Sequence, residues 1–136
     1  LLGVIEAELR LLAPDDPRFI AAAAREVEIP LQAVTIGGAP LAPEGVALLT
    51  LEPRTLVLSA LKPAEHGDGI ILRVQNSGDS AVRAIVRSGF KLAGAQPLRL
   101  DESAASFALE AALESVSFDV PPHALRSVRL VASGSR

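Results

Sequence analysis

His66 and His123 are the only imidazoles in a chain of 136 residues that has no Cys, Met, Trp or Tyr. They lie far apart, with no H-x-x-x-H or H-x-D spacing, and no thiolate is present to join them. The residues therefore predict no metal site within this chain. A Ser-His-Asp triad assembles in space, so counting does not exclude one. The chain, however, has no G-x-S-x-G elbow and no Ser at a strand-to-helix turn. Glu65 and Asp68 form the one suggestive carboxylate pair. Loop residues three apart can reach the roughly 5 Å separation that a retaining glycosidase uses. The competing reading makes them solvated turn formers beside Gly67 and Gly69. The loop lacks the regular acidic spacing of a calcium hand. Gly67-Asp68-Gly69 neither matches G-x-G-x-x-G nor opens a helix, so it is no phosphate cradle. Arg83, Arg87, Arg126 and Arg129 could line a basic face, but without interleaved aromatics a solvated sandwich face is expected. The net charge of -3 also argues against nucleic acid as a partner.

The elements that position these residues read mostly as strands: short Val/Leu/Ile-rich runs bounded by Gly, Pro or Asp. Expected strands are 4–12, 31–36, 46–51, 55–61, 70–75, 81–87, 107–109, 115–120 and 125–131. In the strand at 70–75, Ile70, Leu72 and Val74 share one face, with Arg73 and Gln75 opposite. In the next, Val82, Ala84 and Val86 point inward, with Arg83 and Arg87 outward. Val116, Phe118 and Val120 likewise share a face. Residues 76–80, Asn-Ser-Gly-Asp-Ser, are expected to form a hairpin loop. One helix of two to three turns is expected within Asp15 to Val27. Asp16 can cap it, Pro17 suits its first turn, Phe19, Ala23 and Val27 form its apolar stripe, and Pro30 lies just beyond it. The fold class is all-β: an antiparallel β-sandwich, immunoglobulin-like or jelly-roll-like, with one short helix near the N-terminus.

Without a Met anywhere, the chain is expected to be a piece of a longer protein. The Arg excess over Lys, eleven to two, fits a GC-rich genome rather than a basic function. No run approaches the roughly 18–20 apolar residues of a membrane helix, and the first residues do not read as a signal peptide. No membrane partner is expected, and the expected location is cytoplasmic.

The stretch from Leu56 to Asn76 contains Leu58-Ser59-Ala60-Leu61-Lys62, then Ala64-Glu65-His66-Gly67-Asp68-Gly69, then Ile71-Leu72-Arg73-Val74-Gln75-Asn76. It resembles the C-terminal β-sandwich of glycoside hydrolase family 38, the α-mannosidases. Bacterial members carry an L-S-A-L-K strand end, an A-E-x-G-x-G loop and an I/L-x-R-x-x-N strand end. Pro121 to Leu130 is similar to the family's closing segment, a Pro-led turn into an I/L-R-T/S-x-x-L strand. Two departures are His66, where an acidic residue is expected, and Val74-Gln75, in place of Leu-Tyr.

The resemblance implies a non-catalytic domain of a zinc-dependent retaining enzyme that removes terminal α-linked mannose. It implies no catalytic residue and no metal ligand here, since the zinc and the Asp nucleophile belong to the parent's catalytic domain. Residues 1–54 would end a preceding β-region, and 55–136 would be the sandwich. The implied partners are the parent's N-terminal catalytic and central domains and a mannose-containing glycan. Within the parent, Glu65, Asp68 and Arg73 are the candidate substrate-binding residues. The alternative from another class is a free-standing sandwich that binds carbohydrate or protein; the lack of Trp and Tyr platforms weakens the sugar-binding version.

Overall fold

The computed structural model describes residues 47–134 without a break, together with residues 11, 13, 15, 16 and 19–29. Within them lie one helix and eight strands: α1 (Ile20–Glu28), β1 (Leu49–Glu52), β2 (Leu56–Pro63), β3 (Ile70–Asn76), β4 (Val82–Ser88), β5 (Leu92–Leu98), β6 (Leu109–Ala112), β7 (Ser115–Val120) and β8 (Ala124–Ala132). Two antiparallel four-stranded sheets form a sandwich. The first has the order β1-β4-β7-β6 and the second β2-β3-β8-β5. Only β2–β3 and β6–β7 are hairpins; every other connection between consecutive strands passes from one sheet to the other. The strands expected at 4–12 and 31–36 lie outside the described residues, apart from Leu11, which is in no strand.

Alternation builds the core. Leu72 and Val74 of β3 and Val128 and Leu130 of β8 face Ala84 and Val86 of β4 and Val116, Phe118 and Val120 of β7, all fully buried. Phe118 anchors the cluster, its ring centroid 5.9 Å from that of Phe107. Burying such a side chain contributes on the order of 2–3 kcal/mol.

Four expectations are corrected. Residues 76–80 do not turn a hairpin: β3 and β4 lie in different sheets, and the turn chemistry serves a crossing instead. Such a crossing and a hairpin draw on the same Asn, Gly and Asp, so local sequence cannot separate them. The strand expected at 107–109 lies at Leu109–Ala112, paired Leu109↔Phe118, because Phe107 turns its ring into the core before the ladder begins. β5 was not expected at all. Its Gly94 and Pro97 interrupt the pattern, which an edge strand tolerates. The helix starts at Ile20 with no side-chain cap on Phe19. The Phe19 N–H bonds the Asp16 backbone carbonyl at 3.0 Å instead.

α1 lies against the edge strand β2. The β2–β3 ladder is irregular between Leu58 and Ala60, leaving Ser59 out of register. Arg25 of α1 donates from Nη2 to the freed Ser59 carbonyl at 3.0 Å. A bulge leaves one residue without ladder partners, and the helix supplies one. Among the described residues no helix is long and apolar enough to cross a membrane.

Candidate functional site

The β2–β3 hairpin loop carries Glu65, His66 and Asp68. The Ala64 N–H to Gly69 carbonyl bond, 3.0 Å, closes it. Gly69 has φ +107, and a Cβ there would sit 2.5 Å from the Leu130 carbonyl oxygen, so only glycine fits. The loop is braced from the far side of the same sheet. After β5 the chain turns at 99–103, where the Glu102 N–H bonds the Arg99 carbonyl at 3.1 Å. This turn leans over the outer face of the β2-β3-β8-β5 sheet. At its tip Glu102 stands at φ 63, a conformation that L residues rarely adopt. Its carboxylate is 5% exposed, placed 2.6 Å from Lys62 Nζ, and it accepts the Glu65 backbone N–H at 3.0 Å. Lys62 also pairs with Glu65 Oε1 at 2.6 Å. Lys62, and then the Glu65 N–H, hold the Glu102 carboxyl below its ordinary value; Glu102 first and Glu65 second hold the Lys62 ammonium above its own.

Arg73 belongs to the same brace. Its Nε donates to Ser127 Oγ at 3.1 Å, and its Nη2 donates to the Leu100 carbonyl at 3.0 Å. The structure thus places Glu65 and Arg73 on one end of one sheet, but tied to neighbours rather than reaching outward. Asp68 is exposed and makes no hydrogen bond or ion pair among the described residues. Sequence reasoning missed Lys62 and Glu102. The Lys62-x-x-Glu65 spacing was a readable signal; Glu102, 37 positions from its Glu65 partner, left none.

The opposite end of β3 holds a second polar knot. Asn76 is 1% exposed. Its Nδ2 reaches the carbonyls of Ser80 (2.8 Å), Val120 (3.1 Å) and Pro121 (3.0 Å), and its Oδ1 accepts the Gly78 N–H at 3.0 Å. Asn76 therefore ties the β3–β4 crossing to the β7–β8 turn. His123, at φ 50 in that turn, pairs with Asp79 at 2.9 Å. Both side chains are exposed, and no Ser hydroxyl bonds His123 among the described residues, so the pair is no triad.

His66 precedes β3 and His123 lies beside its far end. Seven residues at roughly 3.3 Å each hold them about 20 Å apart. Among the described residues no group of three His, Cys, Asp or Glu could hold a metal ion. The described residues therefore do not fit a zinc ion. The four arginines do not share a face either. Arg83 and Arg87 project from β4, paired with Glu110, Asp119 and Glu52. Arg126 lies over the Phe107 ring at 4.6 Å. Arg129 is on the other sheet, its Nη1 3.8 Å from where a Gly67 Cβ would be.

Residues 55–128 match the model of the glycosyl hydrolases family 38 C-terminal beta sandwich domain. The match spans both polar knots and all the core strands except β1 and the end of β8. Among curated proteins and among solved structures nothing matches the chain.

Proposed function

The chain belongs to the family of C-terminal β-sandwich domains of family 38 glycosyl hydrolases, and we propose that it serves a zinc-dependent retaining α-mannosidase as a non-catalytic domain that packs on the preceding domains and helps to line the substrate pocket. In that enzyme class the metal orients sugar hydroxyls while carboxylates do the covalent and acid-base work. This chain's residues would contribute shape and hydrogen bonds only.

The observation that carries the reading is how polar groups are used at the β2–β3 loop. Lys62, Glu65 and Glu102 brace one another, Arg73 ties Ser127 to the Leu100 carbonyl beside them, and Asp68 is left exposed and unengaged on the loop. A loop built in this way offers one unpaired carboxylate beside a braced sheet end, and such a group can accept hydrogen bonds from sugar hydroxyls. The docking of α1 on β2 through Arg25 supports packing on preceding domains from the same side.

The test uses the full-length parent enzyme and an aryl α-mannoside. Asp68→Ala is expected to lower kcat/KM several-fold with an unchanged melting temperature, because it touches no brace. Arg73→Ala is expected to lower both activity and melting temperature. Unchanged kcat/KM in both variants would refute pocket lining. Zinc-dependent turnover by this chain alone would refute its non-catalytic role.

A further inference from the structure

We infer that Asp68–Gly69 is a site of spontaneous isoaspartate formation, built into the hairpin by the packing of its neighbour. The reaction needs three things. The carboxyl must be free of partners, the following residue must lack a side chain that shields its amide nitrogen, and the amide must be able to leave the local hydrogen-bond network. Asp68 is exposed and makes no hydrogen bond among the described residues. Gly69 follows it, and its N–H donates to no described residue.

The glycine cannot be exchanged for a protective residue. Any Cβ would meet the Leu130 carbonyl oxygen at 2.5 Å, and φ is +107. The fold therefore fixes the reactive partner. The other candidate bonds differ. Asp101 accepts from Ser103 N at 3.1 Å and from Ser103 Oγ at 2.7 Å, and Glu102 follows it. Asp79 is engaged by His123, and Asp119 by Arg83 at 3.4 Å with Val120 next.

The Gly69 amide nitrogen attacks Asp68 Cγ. An N–Cγ bond forms, a carboxyl oxygen leaves as water with the amide proton and one solvent proton, and a five-membered succinimide results. Water then opens the ring. Attack at Cγ restores Asp68; attack at the main-chain carbonyl leaves the backbone running through Cγ. One water is lost and one regained, and nothing is oxidised or reduced. The product carries an extra methylene in the backbone between the Asp68 Cα and Gly69. That displaces Gly69 from its slot against Leu130 and strains the Ala64 N–H to Gly69 carbonyl bond, on which the Glu65–Glu102 brace depends.

The experiment ages the intact chain at neutral pH and body temperature. It then maps peptides by mass spectrometry and counts isoaspartate with an isoaspartyl methyltransferase. The expected result is isoaspartate at position 68 several-fold above that at position 79, with faster exchange of the Glu65 amide proton in aged protein. Asp68→Glu, which would have to close a six-membered ring, should abolish the methyl-accepting signal. Asp68→Asn should raise it, because ammonia leaves more readily than water. Equal labelling at positions 68 and 79, no labelling at 68, or a signal unaffected by Asp68→Glu would each overturn the proposal.

Discussion

The two sheets share one core but turn different outer faces to their surroundings. On the β1-β4-β7-β6 sheet the outward positions carry exposed ion pairs around a half-buried Ile85: Glu52 with Arg87, and Arg83 with Glu110 and Asp119. On the β2-β3-β8-β5 sheet the outward positions include Ile71, Val57, Leu98 and Ser127, at 0%, 7%, 4% and 1% exposure, none of them in the inter-sheet core. Strand register explains the second face. Ala60, Arg73, Ser127 and Leu98 form one row across the sheet, and Lys62, Ile71, Arg129 and Gln96 form the next. Over these rows leans the 99–103 turn, bonded to Arg73 and Lys62. One face solves its charge locally, cation against anion in water. The other buries apolar groups under polar clasps and so behaves as an internal layer.

The sharpest way to break this contrast is a matched pair of isoleucines. Ile71 of β3 and Ile85 of β4 both point outward from central strands, but only Ile71 is fully buried. Ile71→Ala is expected to cost about 2–5 kcal/mol in urea unfolding. Ile85→Ala, half-buried, should cost about 1 kcal/mol. Equal losses would erase the distinction between the faces.

A second pair compares arginines. Arg73→Ala removes the partner of the buried Ser127 Oγ, and leaving such a group unmet costs about 1–3 kcal/mol, whereas water replaces the exposed bond to the Leu100 carbonyl. Arg83→Ala breaks exposed pairs that water replaces, so its unfolding midpoint should stay within error.

The third expected effect is electrostatic. Glu102 is held below its ordinary 4.5, so its stabilisation is complete above that pH and is lost as pH falls through its lower folded-state value. Lys62 is held above its ordinary 10.5; its stabilisation is complete below that pH and is lost as pH rises through the raised value. The stability difference between the native chain and Lys62→Met should therefore be widest between 4.5 and 10.5 and close at both extremes. A difference that persists undiminished in acid would mean that Lys62 acts through packing alone.

Much of the fold was legible where side chains alternate. The inward sets on β3, β4 and β7 follow period-two patterning, and buried faces impose it. Pairing partners were not legible, because the same Asn-Ser-Gly-Asp-Ser string serves a hairpin or a crossing between sheets. The candidate site divides in the same way. Glu65, Asp68 and Arg73 stood out by type and motif. That Arg73 is spent on Ser127 and Leu100 depends on a turn from the far edge strand, which no local window contains. Arg25, the helix residue that satisfies the Ser59 bulge, was hidden for the same reason.

The many crossings between the sheets also bear on how the molecule is made. β8 is the last described strand, yet it sits centrally, joining the β2–β3 hairpin to β5. A chain emerging from the ribosome can form that hairpin early, but it has no platform for β5 until the final strand arrives. Pairings so distant in sequence close slowly, over roughly milliseconds to seconds. Until then β3 and β5 keep strand edges that only β8 pairs, and a nascent chain halted before residue 124 would expose them to association with other chains.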